Sequence, residues 1–108
     1  KKEINRLFLR NGKIPAKAFP GRAAILIKML DLNEKIISGV YEKPNSKKIG
    51  NYVPGTRIPI YSDLTFFKEA KNFKVIINLA WHIKKEIFTY LRKNNYKGKI
   101  INIFDYKH

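Results

Sequence analysis

Residues 74–94 read K-V-I-I-N-L-A-W-H-I-K-K-E-I-F-T-Y-L-R-K-N. Lys74 to Leu79 is almost continuously apolar, the pattern of a strand covered on both faces in a parallel sheet. Ala80-Trp81-His82 then leads into a helix through about Asn94. Ile83, Ile87, Tyr90 and Leu91 fall on one face of that helix, and Lys84, Lys85, Arg92 and Lys93 on the other. Lys97-Gly98 closes the helix, and Lys99 to Phe104 (K-I-I-N-I-F) reads as a last strand, before a tail from Asp105 to His108.

The same alternation runs through the rest of the chain. Lys2 to Asn11 reads as a short amphipathic helix with Ile4, Leu7 and Phe8 on one face and Asn11-Gly12 as its stop. Ile14, Ala16 and Ala18 alternate with Pro15 and Lys17, which suggests a strand. Pro15 lacks an N–H and confines that strand to a start, a bulge or an edge. Phe19-Pro20-Gly21-Arg22 precedes Ala23 to Leu32, an apolar segment long enough for a buried helix. Ile36 to Tyr41 reads as a second strand, with Glu42 at its carboxyl end. Ser62 or Asp63 can cap a short helix to about Lys71, whose apolar face would be Leu64, Phe67 and Ala70.

Between them lies Ile49 to Tyr61, I-G-N-Y-V-P-G-T-R-I-P-I-Y. Its prolines and glycines exclude a long helix and an ordinary central strand. Pro54-Gly55 reads as a turn, because Pro presets φ and Gly accepts positive φ. Tyr52, Val53, Ile58, Ile60 and Tyr61 are too apolar for a solvated loop, so the stretch reads as an ordered, packed connection. The resulting order, α-β-α-β-loop-α-β-α-β, predicts an α/β fold: a mostly parallel four-stranded sheet flanked by helices, joined by right-handed crossovers.

In such folds ligands bind beyond the carboxyl ends of the strands. That edge should gather Phe19 to Arg22, Tyr41 to Lys43 and Ala80 to His82. Strand, Pro-Gly turn and helix are the skeleton of a phosphate-binding unit: Gly21 lets a ligand approach the backbone, and Arg22 can pair with a phosphate. Glu42 lies 21 positions after Gly21, the spacing at which an acidic side chain meets ribose hydroxyls in dinucleotide-binding folds. Each feature also has a plain structural reading, since a βα turn needs no ligand and Glu42 can simply open the turn that follows it. Trp81 can stack on a base or sugar, or pack in a core or between domains. His82 is placed to act as an acid or base, or to sit as a hydrogen-bonding neighbour of the helix start.

The 108 residues carry 23 basic and 8 acidic side chains, a net charge of +15. That balance attracts anions, whether nucleic acid, an acidic membrane or a phosphorylated ligand, and of these no membrane partner is expected. Lys outnumbers Arg 18 to 5, and Lys, Ile and Asn supply 44 of the 108 residues, a skew that assigns most of the charge to solvated surface rather than to an Arg-based groove reader. The absence of Cys excludes disulfides and thiolate metal sites. His82 and His108 have no carboxylates at ligand spacing, so no metal site is expected. No Ser stands in a nucleophile-elbow context, and no apolar run is long enough to cross a bilayer.

Three segments carry a family resemblance: P-G-R-A-A-I-L-I-K-M-L-D-L (Pro20 to Leu32), Y-E-K-P-N-S-K-K-I-G-N-Y-V-P-G-T-R-I-P-I (Tyr41 to Ile60) and V-I-I-N-L-A-W-H-I-K-K-E-I (Val75 to Ile87). In that order they resemble the C-terminal domain of SAM-dependent C-methyltransferases that act on nucleotide-linked deoxysugars. The resemblance covers roughly Ile14 to Phe104. Its most specific piece, G-N-Y-V-P-G-T-R-I-P-I, is close to the family pattern G-K-Y-x-P-G-T-x-I-P-I. Two departures stand out: A-K-A-F-P-G-R replaces the family's G-x-G-A-x-A-K-G loop, and Glu42 replaces the common Asp.

The resemblance implies a Rossmann-like domain, 1–108 as one α/β unit, forming the C-terminal part of a larger cytoplasmic methyltransferase. A Cys-rich zinc domain and a central SAM-binding domain would precede it. SAM and the catalytic base would then lie outside this chain, and the chain itself would hold no cofactor and would not methylate. Its expected role is to help enclose the nucleotide sugar, with Gly21, Arg22, Glu42, Lys43, Pro54, Gly55, Thr56, Trp81 and His82 as the substrate-binding set. The alternatives are a basic nucleic-acid-binding domain and a non-catalytic protein-interaction module.

Overall fold

The computed structural model describes residues 2–18 and 23–103. Helix α1 (Lys2–Asn11) is followed by β1 (Ile14–Lys17), α2 (Ala23–Met29), β2 (Ile37–Glu42), β3 (Ile60–Ser62), α3 (Asp63–Lys68), β4 (Val75–Asn78), α4 (Lys84–Lys93) and β5 (Lys99–Asn102). The five strands form one sheet in the order β3-β2-β1-β4-β5, and every neighbouring pair is parallel. The order reverses direction between β1 and β4, which makes the carboxyl ends of those two strands the switch point of the sheet.

Alternation along each strand sorts side chains to two faces. Ile77 and Val40 join the larger core with Ile4, Leu7, Leu26, Ile27 and Ile58, beneath α1 and α2. Ile76 and Tyr41 join the second core with Phe66, Ile87, Leu91 and Tyr96, beneath α3 and α4. All four residues of β4 are buried, as the apolar run V-I-I-N requires of a strand covered on both sides.

The sheet has five strands where the pattern of elements predicts four. The additional strand, β3, emerges from the end of the Pro-Gly stretch and pairs with β2 through Val40–Ile60, Tyr41–Tyr61 and Glu42–Ser62. It is only three residues long and follows Pro59, so it leaves no strand-length pattern to read. Pro15 sits in the middle strand of the sheet, beside a register shift between Ile14 and Pro15. Pairing of β1 with β4 begins only at Ala16, so the missing N–H falls where β4 asks for none.

The face of α3 also differs from expectation. Ser62 caps it, its hydroxyl accepting from the Leu64 N–H at 3.1 Å. The helix is so short that it buries Phe66 and Asp63 and leaves Leu64 63% exposed. A 3-10 turn, Ala70–Asn72, continues it to the expected end. A second 3-10 turn, Trp81–Ile83, stands where the sequence suggested the first residues of α4. Lys99–Asn102 stops short of Phe104, which lies outside the described residues.

The stretch from Ile49 to Tyr61 is ordered by its own hydrogen bonds. Val53 and Ile58 are buried, and the Val53 N–H donates to the Ile58 carbonyl at 2.9 Å. The Thr56 N–H closes the Pro54-Gly55 turn on the Val53 carbonyl at 3.0 Å, with Gly55 at φ 82°. A residue with positive φ at the third position of such a turn favours Gly. Tyr52 bridges back to Pro59, and Arg57 stacks over the Tyr52 ring at 5.5 Å. The arm thereby folds over the free edge of β3, with the Gly50 N–H donating to the Ile60 carbonyl.

Candidate ligand-binding edge

The carboxyl ends of β1, β2 and β4 form one rim, and two pockets open there. The first lies beside β2. Glu42 is the last residue of that strand and only 1% exposed. Its carboxylate accepts from the Ser46 hydroxyl, which holds the side chain against the following turn. Ala23 and Ala24 at the start of α2, Lys48, Asn51, Tyr52, Pro54 and Glu42 line a cavity of about 260 Å³. The rim thus brings Glu42 and Pro54, two of the expected substrate-binding residues, to one cavity. Pro54, Gly55 and Thr56, together with α2 residues Ala24, Ile25 and Lys28, also border a groove of about 530 Å³.

The second pocket lies at the switch point. Lys17, the last residue of β1, is 2% exposed, and its ammonium lies 3.1 Å from the Asp63 carboxylate at the start of α3. Lys17 Nζ also donates to the carbonyls of Ala18 and Tyr41, at 3.2 and 3.4 Å. The Tyr90 hydroxyl of α4 donates to Asp63 Oδ2 at 2.7 Å. Burial pushes the Lys17 ammonium below its ordinary pKa, and the facing Asp63 carboxylate opposes that shift. Burial also raises the Tyr90 phenol, helped by its hydrogen bond to Asp63. With Ala18, Lys43, Ile83, Glu86 and Ile87, Lys17 and Tyr90 enclose a cavity of about 160 Å³.

Consecutive residues therefore serve different pockets, Glu42 the first and Lys43 the second. Trp81 and His82 stand in the 3-10 turn beyond β4, with ring centroids 5.8 Å apart, and Trp81 is half exposed. They line neither cavity. Asn78, fully buried at the end of β4, prepares that turn: its Oδ1 accepts from the Ala80 N–H and its Nδ2 donates to Asn102 Oδ1, both at 2.9 Å. Gly21 and Arg22 lie outside the described residues.

Sequence reasoning passed over Lys17, Asp63 and Tyr90. Lys17 reads as one more surface lysine in a lysine-rich chain, and Asp63 as a helix cap. Nothing in the local pattern marks Lys17 as buried, because its place at the carboxyl end of the middle strand follows only from the strand order.

Among the described residues, no group of three or more His, Asp or Glu side chains is placed to hold a metal ion. None of their helices is long and apolar enough to cross a membrane.

A parallel sheet of this order, flanked by helices, defines a Rossmann-like α/β domain, with cavities at its carboxyl edge. The family model described as C-methyltransferase C-terminal domain matches residues 3–103, and the chain belongs to that family. Comparison with curated proteins gives no match.

Proposed function

We propose that this chain is the substrate-binding and interdomain module of a SAM-dependent C-methyltransferase acting on a nucleotide-linked sugar. The observation that carries the reading is the Glu42 pocket. A buried carboxylate at the end of β2 faces the same cavity as the start of α2, Lys48 and the Tyr52 ring. A carboxylate there suits ribose hydroxyls, an aromatic ring suits a base, and a lysine suits phosphate. Lys43, Pro54, Gly55 and Thr56 flank the ligand, and Trp81 and His82 face the domain that carries SAM. SAM and the methyl-transfer chemistry belong to that other domain, and this chain supplies grip and enclosure for the acceptor. The setting is cytoplasmic, where nucleotide-linked sugars are used.

Calorimetric titration with a nucleoside diphosphate sugar tests the reading. Saturable binding that weakens roughly tenfold in both Tyr52→Ala and Lys48→Ala supports it. Unchanged affinity in both variants would remove the Glu42 pocket from the account. Tight binding to a random duplex that collapses with salt, without nucleotide-sugar binding, would assign the +15 charge to a polyanion partner instead.

A further inference from the structure

We infer that the switch-point cavity is a second subsite, one that takes a neutral, hydroxyl-bearing six-membered ring: a single monosaccharide unit. This deepens the reading above and rests on it, because it assigns the sugar half of the ligand to a pocket distinct from the one lined by Glu42.

Size comes first. A cavity of about 160 Å³, smaller than the 260 Å³ of the Glu42 pocket, suits a single ring better than a whole nucleoside. The walls come next. Ala18, Ile83 and Ile87 give it apolar sides, which suit the C–H face of a pyranose.

Charge selects against anions. The Lys17 ammonium, the obvious anion partner, has its donors committed to Asp63, Ala18 and Tyr41. The remaining charged groups of the lining, Lys43 and Glu86, are of opposite sign and cancel. A phosphate would gain Lys43 and be repelled by Glu86. A hydroxyl both donates and accepts, so a Lys, a Glu and the lone pairs of the Tyr90 hydroxyl can all serve vicinal hydroxyls. The buried Lys17–Asp63–Tyr90 linkage ties β1, α3 and α4 together and holds the floor of the cavity at fixed geometry.

The test uses the 108-residue chain, labelled with nitrogen-15, and three probes: the methyl glycoside of a 6-deoxyhexose, a nucleoside diphosphate and inorganic phosphate. The glycoside should shift the amides of Ala18, Ile83, Glu86, Ile87 and Tyr90, with a dissociation constant in the millimolar range expected of one small ring. Glu86→Gln, an exposed substitution that leaves the core alone, should weaken it roughly tenfold, and Lys43→Gln should weaken it as well. Phosphate should leave those amides in place.

The inference is overturned if the glycoside moves none of these amides, if it moves only those around Tyr52, if phosphate competes with it, or if neither variant weakens it. The nucleoside diphosphate reports separately on the reading above. If it fails to shift Asn51 and Tyr52, the Glu42 pocket falls, whatever the glycoside does at α4.

Discussion

Replacing Lys17 with Met keeps the length of the side chain and removes its charge. Asp63 is then left buried with the Tyr90 hydroxyl as its side-chain donor. Breaking one partner out of a buried pair costs about 3–5 kcal/mol, because the remaining charge is uncompensated. The retained Tyr90 bond places the expected loss at about 3 kcal/mol, near the low end of that range. For a chain of 108 residues the unfolding entropy is about 0.23 kcal/mol/K, so the melting temperature should fall by about 13 °C. Urea unfolding followed by circular dichroism should give the same loss with an unchanged m-value. The double variant Lys17→Met with Asp63→Leu removes both charges and should recover most of the loss.

The pair also has a pH signature. Burial lowers the Lys17 pKa, so between that lowered value and 10.5 the unfolded chain binds more protons than the folded one. Stability should therefore rise with pH through that window, and Lys17→Met should lack the rise. A loss below about 1 kcal/mol for Lys17→Met, the level of a solvated surface pair, would refute the argument that this pair is buried and uncompensated when broken.

Three further outcomes follow from the packing. Tyr41 and Tyr96 are pushed up to about 12 by burial, so stability present below pH 10 should be lost as pH rises toward 12, by about 2–3 kcal/mol for each ring; alkaline unfolding of Tyr96→Phe and Tyr41→Phe should show a shallower fall. Gly98→Ala should destabilise by about 1–3 kcal/mol, because a Cβ there overlaps the buried Tyr96 hydroxyl and meets the Lys74 carbonyl at 2.9 Å, and thermal melting reads the shift. Ser62→Ala removes the α3 cap and should cost about 1 kcal/mol by denaturant titration.

The layered α/β architecture was legible because long-range pairing agreed with local pattern. Lys74 to Leu79 could only be a strand covered on both faces, and the helix after it carried a clear apolar stripe. The phase of α3 was not legible: a helix of less than two turns has too little periodicity to fix a face, and Phe66 rather than Leu64 won the core. The short strand β3 escaped for a similar reason, since its pairing with β2 is decided by how the Pro-Gly arm folds back rather than by its own three residues. At the rim, Glu42 could be singled out from its spacing, whereas Pro54 read only as a turn and entered the candidate set through the family resemblance. The Lys17–Asp63–Tyr90 linkage joins residues 17, 63 and 90, a juxtaposition that exists only once the strand order is known.

The central claim is that this chain grips the acceptor while another domain holds the methyl donor. Side-by-side calorimetric titrations of the chain with a nucleoside diphosphate sugar and with SAM address it most directly. The account predicts saturable heat from the nucleotide sugar and none from SAM. Saturable SAM binding with no response to the nucleotide sugar would contradict it.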